Sequence, residues 1–349
     1  MVTSTRLTGL VFIVQVLFIG LLYVMLVSQP SNISSSRFSR SDSNSDSKYL
    51  AMTNSPSFPN SSITVNLTVP LNDTRTEENA TTLETYEEEN SSDKPTTFLL
   101  IMVSIQPEGF SARECIRNTW YRGFNDSENV MMRFVIGTKG VTNSTVTLRL
   151  LKKENDIYGD IAFLENVKDH WITSTNKTLS MFIWAHDNVN FTYMMKTEES
   201  TFVYVKNMID ELRKRPKHTR LYYGKIQFKR RPIRRGSEWA DPHWDLAPTY
   251  LPFALGGGYI LSADLITLLV HRRQYLAYHP NEDTAVASWI AAYRFERRND
   301  KLMCVTPFGK SKTLEGKCEN SVIARFCYGL TGADLQKWFK ILYEATINS

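Results

Sequence analysis

The chain has 349 residues, enough for one large domain or two small ones, and 12% of them are aromatic, an ordinary globular composition. A formal charge of +5 is too modest to point to nucleic acid as a partner. The cysteines at 115, 304, 318 and 327 lack the His and Cys neighbours that a zinc site needs.

Leu7 to Val27 form an apolar run broken only by Thr8, Gly9, Gln15 and Gly20. About 20 apolar residues match the hydrocarbon thickness of a bilayer, and no small-residue cleavage site follows. This predicts an uncleaved signal anchor over 7–27, with 1–6 as a cytosolic tail and the body of the chain lumenal. Residues 28–96 are rich in Ser, Asn, Thr and Glu with scattered prolines, so they cannot bury enough surface to offset chain entropy and predict a disordered stem. Sequons at Asn32, Asn60, Asn66, Asn72, Asn79 and Asn90 suit a glycosylated lumenal stalk.

Regular structure is predicted from about residue 97. The run Phe98–Ser104 suits a strand covered on both faces, and Ser111 is placed to cap a helix through Arg113, Ile116, Arg117 and Trp120. Arg133–Gly137 reads as a strand, Leu148–Lys153 as a helix and Ile161–Phe163 as a strand. Leu179, Phe182 and Ile183 give a helix over 175–186 an apolar face. That phase turns Asn176, a further sequon, into the core and predicts it unmodified. A strand at Tyr193–Met195 and a helix marked by Val205, Met208, Ile209 and Leu212 follow. Strands alternating with helices predict an α/β fold with a mostly parallel sheet.

The first of these last two elements ends in Lys196, Glu198 and Glu199. Carboxylates at the carboxyl end of a buried strand stand where such sheets bind ligands, although most such residues are only a solvated turn. A basic stretch from Arg213 to Arg235 then predicts either a solvated loop or contact with an anionic glycan, phosphate or acidic peptide. Gly256, Gly257 and Gly258 precede a strand over Tyr259–Ser262 and allow close backbone approach. Ser262 or Asp264 is placed to cap the next helix. Glu282 and Asp283 stand before a helix over 285–292, where the helix dipole favours their charge. Of the cysteines, Cys115 reads as a buried small residue, and two of the other three are expected to pair in an oxidising lumen.

Taken in order, Arg113-x-x-x-Arg117-x-Thr119-Trp120, Phe134-x-x-Gly137-Thr138, Tyr158-Gly159-Asp160-Ile161, Lys196 with its carboxylates and Phe202-Val203, the triple glycine with Tyr259-x-Leu261-Ser262, and Glu282-Asp283 resemble the β1,3-glycosyltransferases of glycosyltransferase family 31. The likeness covers Phe98 to the carboxyl terminus. LPFALGGGYILSADL, the Trp239/Trp244 spacing and Thr175-x-Lys177-x-Leu179 are similar to the branch that builds the proteoglycan linkage region. The resemblance implies a GT-A fold and a type II protein of the Golgi membrane. It also implies inverting transfer of galactose from UDP-galactose to the 3-hydroxyl of an acceptor sugar, with a glycan or glycoprotein acceptor, an anionic one if the basic stretch contacts it. N-acetylglucosamine or N-acetylgalactosamine remains the alternative sugar.

In this resemblance Asp283 matches the base, with Glu282 beside it. Arg113 and Arg117 match positions that either touch the nucleotide or brace the first strand, and Lys177 is a further donor-side residue. Lys196, Glu198, Glu199 and Gly256 to Gly258 complete the donor side. The family's manganese site is the exception. Three consecutive aspartates are replaced by Glu198, Glu199 and Ser200, and an ungapped alignment puts Phe326 where a metal-binding histidine is expected. If 198–200 were extended, positions 198 and 200 would face one side and offer one carboxylate. A catalytically silent homologue that binds sugar, nucleotide or another protein is therefore the competing expectation, and in an active enzyme Lys196, Lys177 or Arg113 would supply the missing charge.

Overall fold

The computed structural model describes residues 93–141, 145–215, 220–237, 240–300, 303–305, 324–326 and 332–347. The expected anchor at 7–27, the stem sequons and the pairing of Cys304, Cys318 and Cys327 lie outside what these residues describe. Among the described residues, no helix is long and apolar enough to cross a membrane.

A seven-stranded sheet organises the chain. Its strands are β1 (Thr96–Ser104), β2 (Val130–Gly137), β3 (Ile161–Leu164), β4 (Asn190–Glu198), β6 (Leu221–Gln227), β7 (Phe253–Ser262) and β8 (Glu296–Asn299), in the order β3-β2-β1-β4-β7-β6-β8. β1, β2, β3 and β4 pair in parallel, whereas β7 runs antiparallel to both β4 and β6, and β6 pairs in parallel with β8. The sheet is thus mixed but mostly parallel, as the alternating pattern predicted. A small second sheet joins β5 (Thr201–Val203), β10 (Ala324–Phe326) and β9 (Met303–Val305).

The helices are α1 (Phe110–Asn118), α2 (Val146–Tyr158), α3 (Ser174–Asn188), α4 (Val205–Arg213), α5 (Ala263–His271), α6 (Glu282–Ile290) and α7 (Gly332–Ile347). They cover both sheet faces, which is why β1 needs no polar face. Leu99, Ile101 and Val103 join one core with Ile116, Met208 and Phe339, while Leu100 and Met102 join the other with Met181, Phe182 and Leu265.

Three local expectations are corrected. Gly109, not Ser111, precedes the first residue of α1, and no side chain caps that helix. The triple glycine lies inside β7 rather than before it. Along α3 the buried residues are Thr175, Lys177, Thr178, Met181, Phe182 and Ala185. Asn176 is exposed, because the helix is rotated so that Leu179 and Ile183 only flank the core. The steric reason for an unmodified Asn176 is gone.

α1 is fixed by a buried ionic network. The Arg113 fork donates from Nε to Glu154 Oε1 at 2.8 Å and from Nη2 to Glu154 Oε2 at 2.7 Å. Arg117 grips Asp160 through two bonds of 2.8 Å and lies 3.9 Å over the Tyr158 ring. A second contact, 2.8 Å, joins Arg117 to Glu154. Truncating one partner of a buried pair leaves an uncompensated charge, whereas replacing both by apolar groups is far milder. Arg113→Met should therefore lower the unfolding free energy by about 3 kcal/mol in urea titrations, and Arg113→Met with Glu154→Leu should recover part of that loss.

Candidate functional site

The site collects at the carboxyl ends of β1, β2 and β4, where an α/β sheet presents its ligands. β7 contributes because it runs the other way. Its amino-terminal half lies beside the end of β4, with Thr197 opposite Gly258 and Lys196 opposite Tyr259.

Lys196 is the electrostatic centre. It is 3% exposed, and its three N–H bonds go to Gly256 O at 2.9 Å, Glu282 Oε2 at 2.9 Å and Glu198 Oε1 at 3.3 Å. Burial opposes its charge, but Glu282, Glu198 and Asp283 outweigh burial and hold its pKa above that of an ordinary lysine. Glu282 also accepts from Tyr259 Oη at 2.5 Å. Burial would raise the Glu282 pKa, yet Lys196 and the hydrogen bonds from Asp283, Tyr259 and Lys196 bring it below the usual glutamate value.

Asp283 is the opposite case. Its Oδ2 accepts from the Gly256 N–H at 2.8 Å. Burial, then the neighbouring Glu282 charge, push its carboxyl well above the ordinary aspartate range, with Lys196 opposing. The two neighbouring carboxyls are pushed in opposite directions, Glu282 down and Asp283 up. Two adjacent acids with pKa values driven apart are the arrangement that assigns acid and base roles. The pair opens α6, with Asn281 preceding it.

The glycines are needed for this seating. A Cβ on Gly256 would lie 2.3 Å from Asp283 Oδ1. The Gly257 carbonyl accepts from both Thr197 Oγ1 at 2.8 Å and Thr201 Oγ1 at 2.6 Å. These bonds close the turn that contains Glu199 and Ser200. The extended run assumed for 198–200 is therefore corrected: β4 ends at Glu198, and the alternation of faces fails at a turn.

A second cation stands nearby. Lys177 donates to Ile105 O at 2.9 Å and to Asp169 Oδ2 at 2.7 Å, and Asp169 in turn accepts from the Gly137 N–H at 2.9 Å. Burial lowers the Lys177 pKa, with Asp169 opposing. Glu198 and Glu199 are both raised, chiefly by burial, with the lysines in part opposing. Asp169, Tyr259 and the two threonines were not foreseen. The only sequence signal for Asp169 was its place one turn ahead of the helix that carries Lys177.

The expected roles divide accordingly. Lys177, Lys196, Glu198, Glu199, the glycines, Glu282 and Asp283 gather at one sheet edge. Arg113 and Arg117 spend their forks on Glu154 and Asp160, so the bracing role is the one their contacts describe. Of the cations nominated as counter-charge, Lys196 has no N–H left, Arg113 is 1% exposed, and Lys177 keeps one N–H beyond its two bonds. The residues do not fit a manganese site. Among the described residues, no three His, Cys, Asp or Glu side chains gather to hold an ion. Glu198 is already paired with Lys196, and position 326, whose backbone pairs with Thr201 beside the turn, is a phenylalanine.

A family model described as galactosyltransferase matches residues 111–301, which include every charged residue of this site. Beta-1,3-galactosyltransferase 6 of Mus musculus is 33% identical over 209 residues, covering 58% of this chain and 63% of that protein. Beta-1,3-galactosyltransferase 1 of Mus musculus is 31% identical over 231 residues, covering 59% and 69%. The hydroxyproline O-galactosyltransferase GALT5 of Arabidopsis thaliana is 30% identical over 191 residues, covering 53% and 27%. The chain thus spans less than two thirds of the first and third of these relatives. A solved structure of the galactosyltransferase LgtC with donor and acceptor sugar analogues is 11% identical, covers 70% of this chain and 95% of its own, and has a TM-score of 0.37.

Two outcomes follow from the Asp283 seat. Gly256→Ala should displace the carboxylate and cost about 1–3 kcal/mol of stability, as overpacking does, measured by denaturation. A carboxyl whose folded pKa is raised contributes stability that is present below the unfolded value, about 3.9, and is lost as pH rises through the folded value. Unfolding free energies of the parent should therefore fall across that range, and Asp283→Asn should flatten the slope.

Proposed function

Since the chain belongs to the galactosyltransferase family, we propose that it transfers galactose from UDP-galactose, with inversion, to the 3-hydroxyl of an acceptor sugar, Asp283 serving as the base. The observation that carries this reading is the Asp283 seat: a half-buried carboxyl with a raised pKa, fixed by Gly256 and beside a charged Glu282. A general base works best with a pKa near the working pH, and burial with the adjacent charge moves Asp283 in that direction. Deprotonated Asp283 takes the acceptor hydroxyl proton as the oxygen attacks the anomeric carbon from the face opposite the departing UDP. Glu282, Lys196 and Tyr259 keep the neighbouring charges fixed while that proton moves. On the donor side, the spare N–H of Lys177 faces the leaving diphosphate, with the carboxyl end of β1 as its floor.

The fold reading that accompanies this is GT-A, the acceptor is a β-linked galactose of a glycosaminoglycan linkage region, and the enzyme sits in the Golgi membrane through residues 7–27. No step is routed through manganese, because Glu198 and Glu199 do not form a site for it. The same misfit favours a second reading, a homologue that binds its sugar nucleotide without turning it over.

One assay separates the two. Transfer and donor hydrolysis with UDP-galactose, in manganese and in chelator, should show turnover that survives chelation and rises with pH as Asp283 loses its proton. Asp283→Asn should reduce transfer by about 10²–10⁴-fold with UDP affinity retained. Undetectable turnover with retained UDP binding would establish the silent reading, and transfer abolished by chelator would overturn the metal-free one.

A further inference from the structure

The first part of the connection from β6 to β7 carries cations that meet no carboxylate among the described residues. Residues 228–237 read Phe-Lys-Arg-Arg-Pro-Ile-Arg-Arg-Gly-Ser, with five cations and no carboxylate. Arg234 is occupied: its Nη1 donates to the carbonyls of Trp244 at 2.7 Å and Pro242 at 3.1 Å. Arg230 donates from Nε to Gln227 Oε1 at 3.3 Å. Among the described residues, Lys229, Arg231 and Arg235 have no partner, and none of the five reaches a carboxylate. Some exposed cations elsewhere do, as in Lys214–Glu211 and Arg298–Asp300.

This loop is braced at both ends. The Tyr250 N–H donates to Arg230 O at 2.8 Å and the Asp241 N–H to Ile233 O at 2.7 Å. Trp244 packs on Tyr250 with ring centroids 4.8 Å apart, in a cluster that includes Ala287, one turn beyond Asp283 on α6. Its place is also set. β6 points the same way as β4, so the loop leaves the sheet at the edge that carries Glu198. It re-enters at Phe253, three residues before the Gly256 that seats Asp283. Phe228 and Ile233, 52% and 43% exposed, stand among the cations.

We propose that this loop is a docking surface for an acidic polypeptide segment flanking the acceptor sugar, an inference that rests on Asp283 facing the acceptor. Cations without internal partners are complementary to Asp and Glu side chains and raise encounter rates with them. The two exposed apolar side chains select a polypeptide over a sulfated or uronic glycan. A peptide brings apolar groups between its acids, whereas a glycan would leave Phe228 and Ile233 uncovered.

The test uses the full chain and fluorescence anisotropy with a labelled peptide of alternating Glu and Leu, its Gln-for-Glu counterpart, and a sulfated glycan. The acidic peptide should bind and the Gln peptide should not. Raising salt from about 50 to about 300 mM shortens the Debye length and should weaken binding about tenfold or more. The combined variant Lys229→Ser, Arg231→Ser and Arg235→Ser should lose about tenfold in peptide affinity. Its transfer to a free saccharide should stay unchanged, while KM alone rises for an acidic glycopeptide. Phe228→Ser with Ile233→Ser should weaken the peptide and leave any glycan binding as it was. Equal binding of both peptides, indifference to the triple variant, or binding of the glycan in place of the peptide would overturn the proposal. Peptide binding without transfer would count against galactosyl transfer alone, and transfer to free saccharide without peptide binding against the docking surface alone.

Discussion

The structure turns on a single buried ammonium. Lys196 holds the turn after β4, the glycine run of β7 and the first residue of α6 through one atom, its Nζ. A buried charge costs several kcal/mol unless it is paired and fully hydrogen-bonded, so Lys196 can occupy this place only with Gly256 O, Glu282 and Glu198 all present. The arrangement therefore forms as a unit. The charge on Glu282 is a consequence of Lys196, and that charge adds to burial in raising the pKa of Asp283.

The glycines of β7 make that unit possible sterically. A strand interior gains little from glycine, and here the sheet accepts the loss because a side chain on Gly256 would fill the space of the Asp283 carboxylate. Gly257 serves through its carbonyl, which two buried threonines share. One bond comes from β4 and one from β5, so the turn between them is held on both sides. The conformation of Glu199 and Ser200 is set by this closure and not by strand pleating.

Charge is distributed unevenly around the site. Lys177 and Lys196 face five carboxyls: Asp169, Glu198, Glu199, Glu282 and Asp283. Burial and mutual repulsion raise the pKa of three of them, Glu198, Glu199 and Asp283, while Lys196 and its other hydrogen bonds lower that of Glu282. The surplus of cations lies elsewhere, on the loop from Phe228 to Arg235. The molecule thus separates an acidic, tightly bonded centre from a basic rim on the same sheet edge whose cations reach no carboxylate among the described residues.

The amino-acid sequence by itself determined the α/β alternation, the two-sided burial of β1, and the gathering of charged residues at the end of β4, because hydrophobic period and strand ends are local properties. It also showed a serine at 200 and a phenylalanine at 326, where the resemblance led one to expect metal ligands. Tertiary structure alone decided which way β7 runs, and hence that Gly256 meets Asp283. It decided that 198–200 turns, since the bonds responsible come from Gly257, about sixty residues away. The rotation of α3 was likewise set by packing on the sheet, which exposes Asn176 and buries Lys177 against the propensities of both. Arg113 and Arg117 read equally well as ligands or braces in the sequence. Only the position of Glu154 and Asp160 in space could choose between them, because an ion pair across forty residues leaves no trace in the spacing of its neighbours.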